Sequence, residues 1–357
     1  MSIAAFRHTA LPGRVVFGRG TLTHLSEEAA RLGIERALVI TTPEQRRLAE
    51  AAVERLGGAA ASVFAGAAMH TPVEVTERAL ASVAMNRVDG LIALGGGSAI
   101  GLGKALALRT DLPQIVVPTT YAGSEATPIL GETADGKKTT QRSPKILPET
   151  ILYDVDLTFP LPLAVSMNSG MNAMAHAAEA LYAEDGNRLV SRIAEEALET
   201  MIEALPRIHA RLDDVDGRTA ALYGAWLSGS CLGAVSMGLH HKLCHTLGGT
   251  FGLPHAETHA VMLPHVLAYN LGAARDAQRR LARLLGDEDP AAALERFAIA
   301  LDVPRALRQI GMPEDGLDRA ADLAIRDPYA NPRPIERAAI RAMLGRAWAG
   351  EPPNASA

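Results

Sequence analysis

Short apolar runs alternate with helix-like segments over the first 155 residues of the chain. The apolar runs predict buried strands, because strands that are covered on both faces are short and apolar throughout. They lie at residues 36–40, 61–64, 90–94, 114–117 and 150–154. Helical segments lie between them, for example at 43–56 and 76–86. This alternation predicts an α/β domain with a parallel sheet and flanking helices.

The pattern changes after about residue 160. From there the sequence is rich in Ala and Leu with helical periodicity, as at 193–208 and 291–299, and no run predicts a strand. Pro160 and Pro162 interrupt both patterns. We therefore predict two domains, an α/β domain over residues 1–160 and an all-helical domain over residues 161–357.

The composition excludes several classes of protein. The net charge is −5 and aromatic residues make up 4%, which disfavours a nucleic-acid-binding protein. No apolar run reaches the roughly 18 residues of a membrane helix, and the N-terminal segment lacks the apolar stretch of a signal peptide. Two cysteines, Cys231 and Cys244, do not make a disulfide framework. We expect a cytoplasmic metabolic enzyme that acts on a small molecule, with no nucleic-acid or membrane partner.

A glycine-rich turn follows the third predicted strand, where the sequence GGGSAIGLGKA begins. Backbone N–H groups at a helix N-terminus bind phosphate, and glycine lets the ligand approach the backbone. The segment departs from the G-x-G-x-x-G template at Ile100, and from a P-loop ending at Lys104, since Ser98 and Ala105 occupy required positions. The alternative is a tight turn without a ligand. We predict that cofactor phosphates bind at Gly95, Gly96, Gly97, Ser98 and Gly101.

Polar side chains follow two further predicted strands. The fourth strand ends in PTTYAGSE, which contains Thr119, Thr120 and Tyr121, and the first ends at Thr41 and Thr42. Ligands of α/β folds bind at the carboxyl edge of the sheet, so we expect these loops to contribute to a nucleotide crevice. Thr42 carries no charge where an acidic residue would repel a 2′-phosphate, and both NADH and NADPH remain open as cofactors.

Histidines cluster in one quarter of the chain. Eight of the 11 lie between His176 and His265. Asn172 and His176 are spaced i, i+4 on one predicted helix face, and His241 and His245 share a second face. With His255 they predict a metal or catalytic pocket, the alternative for each being a hydrogen-bonded structural residue. The histidines that we interpret as structural are His209, His240, His259 and His265.

The motifs in combination resemble the iron-containing alcohol dehydrogenase family. They are the GGGS turn, the PTT-x-x-GSE loop, the G-M-x-A-x-x-H helix and the H-x3-H…H segment, which extend over nearly the whole chain. The resemblance implies the dehydroquinate-synthase-like fold, with an α/β nucleotide-binding domain followed by an all-helical domain. In metal-dependent members of this family, Asp stands at the position of Asn172 and supplies a ligand together with histidines matching His176, His241 and His255. Asp also usually stands where Gly101 is found.

These departures, with Lys242 between the histidines, resemble the maleylacetate reductase branch of that family. The resemblance implies NADH- or NADPH-dependent reduction of the carbon–carbon double bond of maleylacetate to give 3-oxoadipate, in the degradation of aromatic compounds. It also implies a site without a metal, a homodimer, and a contact between Lys138 and the cofactor, the alternative for Lys138 being a solvated surface charge. Loss of the Asp charge and the presence of Lys242 favour a dicarboxylate substrate.

Hydride addition to the carbon β to the ketone produces an enolate, which requires hydrogen-bond donors and then a proton. We expect His241 and His245 to stabilise the enolate and deliver the proton, with His176 and His255 completing the site and Asn172 orienting it. Contact with the substrate carboxylates is assigned to Lys242, Thr120 and Tyr121.

Two other functions remain open. One is a metal-dependent alcohol dehydrogenase or aldehyde reductase of the same family, which bound metal and activity on simple aldehydes would identify. The other is a non-catalytic nucleotide-binding protein, which the retention of five polar positions in a pocket argues against.

Overall fold

The computed structural model describes residues 13–134 and 137–354 together with Phe6, His8, Thr9 and Leu11. The side chain of Lys138, with its predicted contact to the cofactor, lies outside this description. The chain divides into two compact units, Leu11–Leu161 and a second that contains Pro162–Ala357.

Strands and helices alternate in the first unit. Its strands are β1 (Arg14–Gly18), β2 (Ala37–Ile40), β3 (Ala60–Phe64), β4 (Gly90–Gly95), β5 (Gln114–Pro118), β6 (Ile129–Ala134), β7 (Lys137–Arg142) and β8 (Thr150–Asp154). Its α-helices are α1 (Leu25–Arg31), α2 (Arg46–Leu56), α3 (Val73–Met85) and α4 (Gly97–Thr110). The predicted α/β architecture is confirmed.

Six strands form one parallel sheet in the order β1-β8-β5-β4-β2-β3. Alternate residues of a strand face opposite sides of the sheet, and the apolar residues of β2 and β4 accordingly supply two cores. Val39 and Ile92 pack in one core, and Leu38 and Leu91 pack in the other. Burial of both faces explains why the sequence of these strands is continuously apolar.

The sequence analysis missed three strands. β1 is an edge strand with the sequence RVVFG, a run of three apolar residues that begins after the exposed Arg14. β6 and β7 form a separate antiparallel pair. The sequence of β7 is KKTTQR, which contains no apolar residue. Such a polar strand is recognised only through its backbone pairing.

The second unit is built from helices. They are α5 (Leu163–Ala180), α6 (Arg188–Ala210), α7 (Val215–Ala234), α8 (Leu239–Phe251), α9 (His255–Asn270), α10 (Arg275–Leu285), α11 (Pro290–Ala300), α12 (Leu317–Ala324) and α13 (Arg337–Ala349). Between Pro162 and Asn354 the structure shows no strand, as the sequence predicts.

Helix α5 occupies the interior of this unit and is buried from Ser166 to Ala180. It packs against α6, α7 and α9. Small residues permit this close packing, since a Cβ atom on Gly170 would lie 2.5 Å from Leu205 Cδ2. Among the described helices, none combines the length and hydropathy required to cross a bilayer.

Candidate functional site

The glycine-rich turn joins β4 to α4. β4 ends at Gly95, whose φ of +144° disfavours a residue with a side chain. Gly96 precedes the helix, and no side chain caps the first turn, which begins at Gly97. The turn therefore presents backbone N–H groups at the positive end of the helix dipole, which is the arrangement that binds phosphate groups.

The ends of three neighbouring strands converge around this turn. The Thr119 backbone N–H, just after β5, donates a hydrogen bond to the Gly95 carbonyl at 3.0 Å. The Gln45 amide, which follows β2, donates to Thr119 Oγ1 at 2.9 Å. A Cβ atom on Gly96 would lie 3.0 Å from Thr120 Cγ2. The predicted residues Gly95, Gly96, Thr119 and Thr120 thus lie together, and Gln45 joins them.

The other residues of this unit that the sequence predicts to contact cofactor or substrate differ in their packing and burial. Gly101 packs against the segment just before α3, since a Cβ atom added to Gly101 would lie 2.4 Å from Thr71 Oγ1. Thr41 is buried, and its backbone bonds with Phe64 and Ala67. Tyr121 is also fully buried. Thr42 immediately precedes a 3-10 helix that starts at Pro43, and Ser98 lies in the first turn of α4.

A buried lysine holds the PTTYAGSE loop to helix α4. Lys104 Nζ donates hydrogen bonds to the Ser124, Thr127 and Ile129 carbonyls and to Thr127 Oγ1. Desolvation lowers the pKa of Lys104 to about 7, and the nearby Glu125 carboxyl opposes that shift. Lys104 therefore fixes the loop that follows β5, whereas a P-loop lysine would contact phosphate.

Glu125 lies inside the same loop and is fully buried. Its Oε1 accepts a hydrogen bond from the Tyr153 hydroxyl at 2.9 Å. Desolvation raises the pKa of Glu125 to about 7, while hydrogen bonds and the Lys104 charge act in the opposite direction. Lys104, Glu125 and Tyr153 thus form a polar core beneath the loop, and their hydrogen bonds offset part of the cost of burying them.

The second unit contains the histidine cluster. Helix α5 supplies Asn172 and His176, and α8 and α9 supply the other rings. His176 Nδ1 lies 2.8 Å from His241 Nε2. Ligand atoms of His176, His241 and His259 all lie within 4.8 Å of one another, and all three residues are buried. Three imidazoles from three helices therefore converge at one point.

The cluster continues on both sides of these three rings. His240 Nε2 lies 3.0 Å from His259 Nδ1, and Cys244 Sγ lies 3.7 Å from His240 Nε2. The His255 ring centroid is 4.4 Å from that of His259 and 6.3 Å from that of His245. The His245 centroid is in turn 6.0 Å from that of His241. The predicted residues His176, His241, His245 and His255 thus lie in one group, which also contains His240 and His259.

Asn172 and Lys242 border this group differently. Asn172 is buried one helical turn before His176 on the same face of α5. Lys242 is partly exposed, with its Nζ 3.8 Å from an Asp327 carboxylate oxygen and 5.7 Å from the Tyr329 ring centroid. Lys242 therefore lies on the solvent side of α8, beside an exposed carboxylate.

Burial keeps the inner imidazoles neutral. Desolvation holds the pKa of His240 and His259 well below the usual value of 6.5, and the neighbouring histidines lower it further. Neutral imidazole is the form that binds metal ions and the form that can both donate and accept a hydrogen bond. At neutral pH these residues are therefore suited to both tasks.

A buried carboxylate lies behind His241. Glu179 of α5 is 1% exposed, and its Oε2 accepts a short hydrogen bond from His241 Nδ1. Its Oε1 accepts a bond from the His240 backbone N–H at 2.9 Å. A cavity of about 520 Å³ borders Glu179 and Gly238 on the side of α10. A carboxylate that binds the outer nitrogen of a ligating histidine is a recurrent feature of metal sites.

These features fit the class of nucleotide-dependent oxidoreductases whose histidines can hold a metal. Residues 12–155 match the iron-containing alcohol dehydrogenase family, and residues 166–348 match the C-terminal region of the same family. The chain belongs to the iron-containing alcohol dehydrogenase family.

Individual relatives are similar over nearly the whole chain. A maleylacetate reductase from Rhizobium sp. (strain MTP-10005) is 55% identical, and the match covers 98% of this chain and 99% of the relative. The crystal structure of maleylacetate reductase from Agrobacterium tumefaciens has 55% identity and a TM-score of 0.94, covering 98% and 100% of the two chains. That of an iron-containing alcohol dehydrogenase from Corynebacterium glutamicum has 40% identity and a TM-score of 0.94, covering 99% of each.

This membership corrects the expectation that no metal is bound. The family is defined as iron-containing, and a relative 40% identical to the chain carries the same description, so a metal cofactor is implied. The residues fit such a cofactor, because His176, His241 and His259 are buried and offer three ring nitrogens within 4.8 Å of one another. The prediction of a metal-free site relied on Asn172, which stands where metal-dependent members of the family have Asp. It was wrong, because three histidines with an open position suffice for a divalent metal.

Sequence reasoning missed several residues of these sites. His240 and His259 were interpreted as structural, although His259 lies at the centre of the cluster. His259 follows His255 by one helical turn, and this spacing was a usable signal. Glu179 is three residues after His176 and shares its face of the helix, which was a second signal. No sequence pattern marks Gln45 or the role of Lys104, because both depend on contacts between distant segments.

Proposed function

We propose that this chain reduces the carbon–carbon double bond of maleylacetate to give 3-oxoadipate, with NADH or NADPH as the reductant. The observation that carries the proposal is the 55% identity to a maleylacetate reductase over 98% of the chain. The glycine-rich turn and the buried histidine cluster supply the features that such a reaction requires. The chain is thus an oxidoreductase that acts on a CH–CH group.

The glycine-rich turn is the proposed site for the cofactor's pyrophosphate, at the start of α4. Gly95, Gly96 and Gly97 keep side chains away from the backbone N–H groups there, and Thr119 and Thr120 border the turn. Ser98, Gly101, Thr41 and Thr42 complete the proposed cofactor contacts. When bound, the nicotinamide supplies a hydride, and both phosphorylated and unphosphorylated dinucleotides remain candidates.

Substitution of Gly97 by alanine tests this assignment. A Cβ atom on Gly97 would meet no atom within 4 Å, so the variant should keep its fold and melting temperature. The added methyl would instead occupy the space that a pyrophosphate needs at the helix N-terminus. We expect the NADH dissociation constant to rise about tenfold or more, measured by fluorescence titration.

Gly58→Ala is the matched control, because an added Cβ there also meets no atom within 4 Å. Gly58 lies before β3 in a 3-10 helix, away from the turn. Unchanged NADH affinity in Gly97→Ala would contradict the assignment of the turn.

The histidine cluster is the proposed catalytic centre. His176, His241 and His259 would hold a divalent metal, which when bound supplies Lewis acidity to a ketone oxygen. His241 is engaged at both ring nitrogens, by Glu179 and His176, and we therefore assign it to holding the centre. His245 is the proposed general acid that delivers a proton to the α-carbon of the enolate, with His255 beside it.

The remaining roles concern the substrate. Asn172 is proposed to orient the cluster, and Lys242, Thr120 and Tyr121 to contact carboxylates. Of these, Lys242 has the clearest chemistry, because its ammonium group is partly exposed and favours an anionic ligand. The exposed Asp327 competes with the substrate for that charge.

A panel of substrates distinguishes this function from the second candidate, a metal-dependent alcohol dehydrogenase. That candidate is favoured by the 40% identity to the Corynebacterium protein. We expect NADH oxidation with maleylacetate to exceed that with simple aldehydes by at least about 10²-fold in kcat/KM, because the site would bind both carboxylates. Comparable rates with aldehydes would favour the alcohol dehydrogenase.

We further propose a cytoplasmic homodimer in which residues 1–160 bind the cofactor and residues 161–357 carry the catalytic histidines. Cys231 and Cys244 are buried and form no disulfide, in keeping with a reducing compartment. Sedimentation analysis of the full chain tests the oligomeric state.

A further inference from the structure

Glu179 hydrogen-bonds to the histidine cluster with both of its carboxylate oxygens. Oε2 accepts from His241 Nδ1, and Oε1 accepts from the His240 backbone N–H at 2.9 Å. Two adjacent residues of α8 are therefore bound by one carboxylate from α5. Glu179 is 1% exposed, so both of its oxygens rely on protein donors.

The bond to His240 caps helix α8. The preceding Gly238 has no side chain to satisfy the first N–H groups of that helix, and no side chain of its own segment does so. Glu179 supplies the acceptor from a neighbouring helix, where a negative charge also favours the positive end of the helix dipole. Gly238 leaves room for this contact, since an added Cβ would lie 3.3 Å from Glu179 Oε1 and 2.9 Å from the Ala330 carbonyl.

The bond to His241 fixes the tautomer of that ring. An ionised carboxylate only accepts hydrogen bonds, so Nδ1 of His241 carries the proton and donates it to Oε2. Nε2 then holds the lone pair, and it faces His176 Nδ1 at 2.8 Å. The same lone pair is the one that a metal ion or a proton donor at the cluster uses.

We propose that Glu179 is a positioning residue that holds His241 as the Nδ1–H tautomer and aims its Nε2 into the cluster. The inference deepens the proposed function and rests on it for its kinetic part. Glu179 acts through His241 and has no described contact with reacting atoms. The hydrogen bond from the His240 backbone N–H to Glu179 also fixes the first turn of α8, and with it the position of His241 in that helix.

Substitution of Glu179 by glutamine tests whether the two accepting oxygens of the carboxylate are required, because the side-chain volume is nearly unchanged. Both partners of the carboxylate are N–H donors, and an amide offers only one accepting oxygen. If that oxygen keeps the His240 cap, the amide NH2 faces His241 Nδ1, which must then accept. The ring would change to the Nε2–H tautomer and its lone pair would leave the cluster, although size and hydrogen-bonding capacity are nearly unchanged.

The experiment is histidine-selective 15N NMR of the wild-type full chain, which distinguishes the two tautomers directly. The His241 signals are identified by their loss in His241→Asn. We expect the Nδ1–H tautomer in the wild-type protein and the Nε2–H tautomer in Glu179→Gln. An Nε2–H tautomer in the wild type overturns the inference whether or not any variant folds.

Kinetics and metal binding supply independent readouts. In Glu179→Gln we expect kcat for maleylacetate to fall 10- to 100-fold with KM changed less than about threefold, and Zn²⁺ affinity to fall by a similar factor. Glu179→Asp, which keeps a carboxylate, should recover part of both. Glu184→Gln is the matched control, because Glu184 borders the same cavity but is exposed.

The outcomes distinguish the two proposals. A wild-type protein that fails to reduce maleylacetate contradicts the proposed function, while the tautomer and the Zn²⁺ affinity still test Glu179. An active wild-type protein whose Glu179→Gln variant keeps the tautomer, kcat and Zn²⁺ affinity contradicts the positioning role alone.

Discussion

Alanine at His241 or at His245 should lower kcat for maleylacetate reduction by about 10²-fold, which is the usual loss when a general acid or its equivalent is removed. His241 links Glu179 to His176, and its removal deprives the cluster of a nitrogen ligand and leaves a buried carboxylate without that partner. His245 is the proposed proton donor. Steady-state kinetics with saturating NADH measures both effects.

The two variants should differ in stability. His241→Ala leaves a buried charge with one fewer hydrogen bond, so its melting temperature should fall, whereas His245 is only partly buried and its replacement should have little effect. His209→Ala is the control, because that partly exposed ring pairs with the exposed Asp302. Wild-type turnover in both His241→Ala and His245→Ala would contradict the assignment of the cluster as catalytic.

Lys104→Met should destabilise the protein by about 3 kcal/mol or more, because several buried acceptors lose a charged donor. The acceptors are the carbonyls of Ser124, Thr127 and Ile129, which set the course of the loop after β5. This loop borders the glycine-rich turn through Thr119 and Thr120. We therefore also expect the NADH dissociation constant to rise about tenfold, measured together with the melting temperature.

Lys145→Met provides the comparison for this prediction. Lys145 is about half exposed and its ammonium group pairs with the exposed Asp111, so its loss should cost less than about 1 kcal/mol. If Lys104→Met were as stable as Lys145→Met and bound NADH normally, Lys104 would not organise the loop.

Local patterns were sufficient to predict most of the fold. The strands β2, β4, β5 and β8 are largely apolar because they are buried on both faces, and the helical periodicity after residue 160 is equally direct. The edge strand β1 offers only three consecutive apolar residues, and the polar strand β7 offers none. Their identity depends on backbone pairing with segments that are distant or polar, which no local pattern records.

The site was predicted only in part, because local patterns do not record contacts between distant segments. Helical spacing correctly places Asn172 with His176, and His241 with His245, on shared helix faces. It could not show that His259 approaches His176 and His241, because that convergence depends on how α5, α8 and α9 pack. Nor could it show that Lys104 binds carbonyls across 20 to 25 residues of sequence.

The prediction of a site without a metal was wrong because it relied mainly on the residue at position 172. Asn at 172 removes a charged ligand, but three buried imidazoles remain whose ligand atoms lie within 4.8 Å of one another. Their ability to bind a cation depends on the number and geometry of donors, which one substitution does not abolish. The charge of Glu179 behind His241 further favours a cation at the cluster.

The most direct test follows the fate of the hydride. The purified, metal-loaded protein is incubated with maleylacetate and NADH carrying deuterium at the transferred position, and the product is examined by NMR. The account predicts rapid turnover to 3-oxoadipate with one deuterium on the carbon β to the ketone. Deuterium on a carbinol carbon, with the double bond intact, would contradict it and identify a carbonyl reductase.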